Sequence, residues 1–296
     1  LPRMQISTSS HVSARCTLST AIPENAQIDS GLLFLHPTPE DDERDETMTT
    51  VEPRSGPRRN EVQAHRGASA IAPENTIAAF RAAAELGAEW VELDVALLGD
   101  GTPVVIHDVS IDRCSSSKGN LADLTASDLD AIDAGSWFSP KFKGEPLPTL
   151  ARVVSALGEL GLSANVEIKQ HAHHKSLDQL VKVVDQHLKA RAAHTKIMIS
   201  SFDAAALKGM YEIDQSYELA MLWSKLPADW LDVLRSIPAK TIHLDYKALS
   251  IGFLEEAVRR GIKVRAWTCN DPRRLASFWD VGLTGVITDD PSVYLT

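Results

Sequence analysis

The sequence predicts an α/β fold, a TIM (β/α)8 barrel with a small insertion after the second strand, and three observations lead there. From residue 62 onward, short apolar runs alternate with amphipathic helical stretches. Eight of those runs have the length and apolar character of buried parallel strands, and several of them end in polar or titratable groups. Parallel strands need a crossover between them, usually a helix, and eight such units close into a barrel whose chemistry sits at the C-terminal ends of its strands.

Taken in order, the first run covers residues 62–64 and ends at His65. A helix follows, with Asn75 or Thr76 as its N-cap and Gly87 just past its end; for Asn75 a cap is the simplest role. The second run, residues 90–95, carries Glu92 and Asp94. Later runs cover residues 164–168, 197–200, 219–222, 241–244, 263–267 and 285–288, mostly separated by amphipathic stretches such as 177–188 and 252–260. One extra run, residues 102–107, follows Asp100-Gly101, and Asp-Gly between apolar runs is a strong hairpin signal. It should fold back antiparallel and return His107 near Asp94. Residues 96–148 then form an insertion over the active face, with a short helix at 126–132 and a loop at 137–148.

The bulk numbers agree with one large globular domain. The chain has 296 residues, 44% hydrophobic and 24% charged, which suits a soluble protein with a full core. A net charge of -10 argues against broad binding to nucleic acid or to anionic membrane, while leaving room for one small anion in a locally cationic pocket. Cys16, Cys114 and Cys269 are far apart, so neither a zinc site nor a disulfide framework is expected. No run of 18 apolar residues or secretory signal is visible, which predicts a cytoplasmic protein with no stable membrane insertion. Residues 1–60 read as a disordered N-terminal tail. The stretches at 37–47 and 52–60 are too polar to offset the entropy of ordering, and Met48 offers an alternative start. The barrel occupies residues 61–296.

Side chains on a strand alternate faces, so Glu92 and Asp94 share one, as do Glu167 and Lys169. If that face is the barrel interior, three carboxylates meet at the mouth and favour a hard divalent ion, Mg²⁺ or Ca²⁺, over zinc. His65 and His107 beside them suit paired acid and base work. Arg66 and Lys169 supply cationic donors for a phosphate. These groups together suggest metal-assisted attack at phosphorus.

The segments His65-Arg66-Gly67, Pro73-Glu74-Asn75-Thr76, Glu92-Leu93-Asp94, His107-Asp108, Glu167-Ile168-Lys169, Trp267-Thr268-Cys269-Asn270 and Thr288-Asp289 resemble the motifs of the glycerophosphodiester phosphodiesterase family. The likeness runs in register from about residue 62 to the C-terminus. Residues 133–138 and 144–150 look like the cytosolic bacterial branch. The resemblance implies Glu92, Asp94 and Glu167 as ligands of a Mg²⁺ or Ca²⁺ ion, and His65 and His107 as general acid and base in either order. It implies Arg66 on the phosphate, Lys169 near the phosphoryl oxygens and Trp267 as an apolar wall. The expected partner is a small-molecule glycerophosphodiester such as glycerophosphocholine, cleaved to sn-glycerol 3-phosphate and an alcohol. The attacker is water or the neighbouring glycerol hydroxyl.

Other groups receive plainer readings. His171, His173 and His174 fall in a solvated loop on the active face, and His243 is a packed or hydrogen-bonded strand residue rather than a ligand. Trp137 and Phe138 are candidates to line the pocket, whereas Trp90, Trp223, Trp230 and Trp279 are packing residues. Asp108 and Asp289 orient neighbours, and Arg273 and Arg274 lie on a solvated face. Two other functions compete with the phosphodiesterase. A lysophospholipase D would need a greasy groove, and a silent binding module would be insensitive to EDTA.

Overall fold

In the computed structural model, which describes residues 54–171 and 175–295, the apolar runs become nine strands of one sheet. These are β1 (Val62–His65), β2 (Trp90–Leu97), β3 (Pro103–Val105), β4 (Ser163–Ile168), β5 (Ile197–Ser201), β6 (Glu218–Trp223), β7 (Thr241–Asp245), β8 (Lys263–Trp267) and β9 (Gly285–Thr288). All neighbours pair in parallel except β3, and β1 pairs with both β9 and β2, which closes an eight-stranded parallel barrel. The sequence expectation of a TIM barrel is met. Closure leaves no parallel strand with a free edge.

Among the described residues six α-helices cover the outside: α1 (Ile77–Glu85), α2 (Leu150–Leu160), α3 (Leu177–Leu188), α4 (Ala204–Ile213), α5 (Trp230–Ser236) and α6 (Ile251–Arg259). Five start on a hydroxyl or carboxylate that accepts a backbone N–H: Thr76, Thr149, Ser176, Asp203 and Ser250. Each such cap contributes ~1 kcal/mol by satisfying a donor the helix cannot. The segments after β8 and β9 contain only short 3-10 turns, Pro272–Arg274, Trp279–Val281 and Pro291–Val293. The core is the apolar layer between barrel and helices. Phe80, Val91, Leu93, Leu157, Val166 and Trp279 are all essentially inaccessible there.

The Asp100-Gly101 turn does reverse the chain. Gly101 takes φ 92, Leu98 N donates to Thr102 O at 2.9 Å, and β3 runs antiparallel on β2 with Val95 opposite Val105. Just beyond, Ile106 N donates to Asp94 O at 3.0 Å, so the next residue, His107, comes back to the strand that carries the acids. Leu98, Ile106, Ile111, Leu121, Leu129 and Leu147 form a separate buried cluster under the insertion. Burying each such side chain contributes up to ~1.5–3 kcal/mol, enough to hold the His107 segment in a defined place. The helix expected at 126–132 is a 3-10 helix, Ala126–Ala131.

Two expectations need correction. Asn75 does not cap α1: Thr76 does, with its Oγ1 accepting from Ala79 N at 3.2 Å. Trp137 and Phe138 meet edge to face, and Trp137 Nε1 donates to Ala134 O. Among the described residues neither borders the cavities around the acids. Of the tail, residues 1–53 lie outside the described residues, as do Cys16, His173 and His174. Arg54, placed in the tail by composition, already contacts the barrel. Its backbone N donates to Asp280, its guanidinium pairs with Glu61 and Leu283 O, and it lies over the Trp279 ring. Cys114 and Cys269 are free and buried, and no helix among the described residues is long and apolar enough to cross a membrane.

Candidate active site

Strand register assembles the site. His65 on β1 is opposite Glu92 on β2, and Asp94 is opposite Glu167 on β4. Because side chains alternate, all four face the barrel interior at its C-terminal end. The chain leaves β1 through a left-handed corner, Arg66 at φ 56 and Gly67 at φ 85. A Cβ at Gly67 would lie 2.6 Å from Ala79, so no larger residue fits without moving α1. The corner turns Arg66 back over the acids. Its backbone N donates to Glu92 Oε2 at 3.0 Å, its Nε lies 3.2 Å from Asp94 Oδ2, and its Nη1 donates to Glu74 Oε1 at 2.7 Å. Asn75, at φ 58, uses its amide to donate to Asp94 Oδ2 at 2.9 Å, which is the role it has in place of a cap.

Glu92, Asp94 and Glu167 are buried, and one oxygen from each lies within 4.8 Å of the others. It is the one such group of possible metal ligands among the described residues. Burial, reinforced by Asp94 and Glu167, pushes the Glu92 carboxyl well above its ordinary value. Burial and then Asp94 raise Glu167 to about 7, against the pull of Lys169. Lys169 Nζ lies 3.0 Å from Glu167 and 3.8 Å from Asp94. Three buried acids with only partial cationic compensation, offering oxygen donors alone, fit a hard divalent cation better than a soft one.

Both histidines are oriented by a carboxylate. His65 Nδ1 lies 2.6 Å from Asp289 Oδ1, and His107 Nδ1 lies 2.7 Å from Asp108 Oδ1. An ionised carboxylate only accepts, so each Nδ1 carries the hydrogen and each Nε2 is left for other work. For His65 that nitrogen already faces the acids, 3.9 Å from Glu92 Oε2. Asp289 also accepts from Ser69 and Asn270, and His65 first, then these two bonds, hold it at about 2 despite burial. Asp108 is held well below the usual carboxylate range, first by Arg113. Burial lowers the His107 imidazole below its usual value, opposed by Asp94. The orienting roles expected of Asp108 and Asp289 match these contacts.

Two cavities meet over the acids. The smaller, about 110 Å³, is bordered by His65, Arg66, Glu92 and Trp267, and the larger, about 650 Å³, by Asp108, Val109, Gln170, His171 and Asp203. His107, Glu167, Lys169 and Phe202 border both. Trp267 and Phe202 meet edge to face with centroids 5.6 Å apart, and Lys169 Nζ lies 5.9 Å from the Phe202 centroid. Seven of the eight residues singled out by the sequence thus border these two cavities, and the eighth, Asp94, is buried beside Glu92 and Glu167. His243 is fully buried, and burial, with Arg265 adding to it, holds its imidazole neutral as a packed strand residue. Arg273 is exposed and pairs with Asp271.

Sequence reasoning missed Glu74, Arg113 and Phe202. Glu74 was visible only as part of a motif. Phe202 follows the C-terminal end of β5, where the rule that singled out the other site residues applies equally. Arg113 sits in an irregular insertion with no periodic signal.

Comparison with known proteins agrees with this geometry. The sequence model described as "Glycerophosphoryl diester phosphodiesterase family" matches residues 65–293. The chain is 34% identical over 237 residues to a glycerophosphodiester phosphodiesterase of Caldanaerobacter subterraneus subsp. tengcongensis, covering 79% of this chain and 96% of that one. A phosphodiesterase of Oleispira antarctica, solved with the product sn-glycerol-3-phosphate, superposes with a TM-score of 0.76 at 28% identity, covering 79% and 94%. The glycerophosphodiester phosphodiesterase of Thermotoga maritima gives 0.65 at 27%, covering 79% and 96%. With a parallel barrel, a buried acidic cluster at its mouth and a family match over most of its length, this chain belongs to the glycerophosphodiester phosphodiesterases, a family of hydrolases.

Proposed function

We propose that the chain hydrolyses small glycerophosphodiesters, such as glycerophosphocholine and glycerophosphoethanolamine, to sn-glycerol 3-phosphate and the free alcohol, with a divalent cation held by Glu92, Asp94 and Glu167. The observation that carries this reading is the cluster of three buried acids flanked by two carboxylate-oriented histidines. The product bound to the similar Oleispira antarctica enzyme is the same glycerol phosphate.

When bound, the cation, Mg²⁺ or Ca²⁺, neutralises charge on a non-bridging phosphate oxygen and makes phosphorus more electrophilic. Arg66 and Lys169 add donors to the phosphoryl oxygens from the rim of the same space. One imidazole takes the proton of the attacker through its Nε2: water, whose oxygen gives the glycerol phosphate directly, or the neighbouring glycerol hydroxyl, whose cyclic phosphate a water then opens. The other delivers a proton to the leaving alkoxide as the P–O bond breaks. Two arms extend from the phosphorus of a diester, and two cavities extend from His107, Glu167 and Lys169. The smaller takes the glycerol arm beside the acids, and the larger takes the alcohol.

Release of glycerol 3-phosphate from glycerophosphocholine should require Mg²⁺ or Ca²⁺ and be abolished by EDTA. EDTA-resistant turnover would exclude the metal-dependent reading, and no turnover of glycerophosphocholine, glycerophosphoethanolamine or glycerophosphoglycerol would exclude the substrate class. Phe202 offers a half-exposed ring to the alcohol. Phe202→Ala should therefore raise KM for glycerophosphocholine by roughly 2- to 30-fold, the equivalent of a lost cation–π contact of ~0.5–2 kcal/mol. It should leave KM for glycerophosphoglycerol nearly unchanged, and an equal rise for both would remove the cation–π explanation.

A further inference from the structure

One side chain ties together the loops that carry His107 and Arg66. Arg113 sits in the insertion, and its guanidinium makes two bidentate pairs. Nη1 and Nη2 donate to Glu74 Oε2 and Oε1 at 2.7 and 2.8 Å, while Nε and Nη2 donate to Asp108 Oδ2 and Oδ1 at 2.7 and 3.1 Å. Each carboxylate has a second partner. Glu74 accepts from Arg66 Nη1 at 2.7 Å, and Asp108 accepts from His107 Nδ1 at 2.7 Å. A continuous chain, Arg66–Glu74–Arg113–Asp108–His107, therefore joins the corner after β1 to the insertion.

We propose that Arg113 is a positioning residue for the phosphodiester hydrolysis, setting the orientation of His107 through Asp108 and of Arg66 through Glu74 at the same time. The proposal rests on the roles given above to His107 and Arg66. Four features favour it over a structural staple. The insertion has its own buried apolar cluster, including Ile111, Leu121 and Leu129, so it does not depend on Arg113 to stay folded. His107 is partly exposed, its side chain 35% accessible, so its ring has room to turn unless a fixed acceptor holds Nδ1. Asp108 can be that acceptor only while its own two oxygens are fixed, and a planar fork with donors in set directions is what fixes them. Hydrogen bonds from Arg113 and the Arg66 charge hold Glu74 at about 2 against the cost of burial, so that end of the chain stays anionic through the neutral range.

Lysine keeps the charge but is a single point donor and cannot span two carboxylates bidentately. The test measures kcat, KM and thermal midpoint for Arg113→Met, Arg113→Lys, Asp108→Asn, the Arg113→Met/Asp108→Asn pair and His107→Ala, on glycerophosphocholine with saturating Mg²⁺. Loss of a residue that orients a working group typically costs ~10- to 100-fold. Arg113→Met should lose about that much kcat with an unchanged midpoint, and Arg113→Lys should recover only part of it. Adding Arg113→Met to Asp108→Asn should cost far less than it does alone, because residues acting through one another are not additive. Multiplicative losses in the pair, full kcat in the lysine variant, or wild-type kcat in Arg113→Met beside an inactive His107→Ala would each overturn the proposal. Wild-type turnover by His107→Ala would instead overturn the reading beneath it, and the proposal with it.

Discussion

Replacing His107 by Ala should lower kcat for glycerophosphocholine by ~10² to 10⁴, the range that one proton transfer typically supplies, and His65→Ala should do the same. The two rings are built alike. Each gives Nδ1 to a carboxylate, Asp108 or Asp289, and each borders the small cavity over the acids. Neither belongs to the apolar core, with side chains 35% and 18% accessible, so the thermal midpoint should hardly move. The loss should fall on kcat rather than KM, because the proton moves in the transition state. Because the two imidazoles act in one event, the double variant should be little worse than the worse single. A single variant keeping more than a tenth of wild-type kcat would remove that histidine from proton transfer.

Glu167→Gln should abolish metal-dependent turnover and yet make the metal-free protein more stable at pH 8. Burial and Asp94 raise the Glu167 carboxyl from 4.5 to about 7. A carboxyl raised in the folded state costs stability once it ionises. That cost is absent below about 4.5, grows as pH rises, and is complete above about 7. Glutamine removes the charge while nearly keeping the shape. Its stabilising effect should therefore appear at pH 8 and fade near pH 4. A divalent ion should raise the wild-type midpoint by mass action and leave the variant's nearly unchanged. Thermal melts at both pH values, with and without Mg²⁺, read all of this apart from activity. A lower midpoint for the metal-free variant at pH 8 would show that Glu167 is well compensated by Lys169 alone, and the argument for a cation there would fail.

Much of the fold is legible in the sequence because its signals are local. Parallel barrel strands are buried on both faces, so they read as continuous apolar runs, and Asp100-Gly101 marks the one reversal that separates β3 from them. Glu92 and Asp94 share a face by alternation alone. Asn75 shows where local reasoning stops: beside Thr76 at a helix start it looks like a cap, but its φ of 58 and its bond to Asp94 belong to the corner over the acids. The 3-10 segments after β8 and β9 were equally invisible, since a short apolar stretch closes over a barrel in either form.

Which chemical groups end which strands is written in the chain: His65 after one run, Glu92 and Asp94 on the next, Glu167 and Lys169 on a third. Strand alternation and strand ends are properties of a few consecutive residues, so they survive in a one-dimensional pattern. Folding in three dimensions is what sets Asp94 opposite Glu167 and His65 opposite Glu92, and brings Arg113 to Glu74 across 39 positions to join two loops. Those pairings depend on barrel register and on how an irregular insertion packs. Both are set by the summed burial of many distant side chains, which no local spacing records.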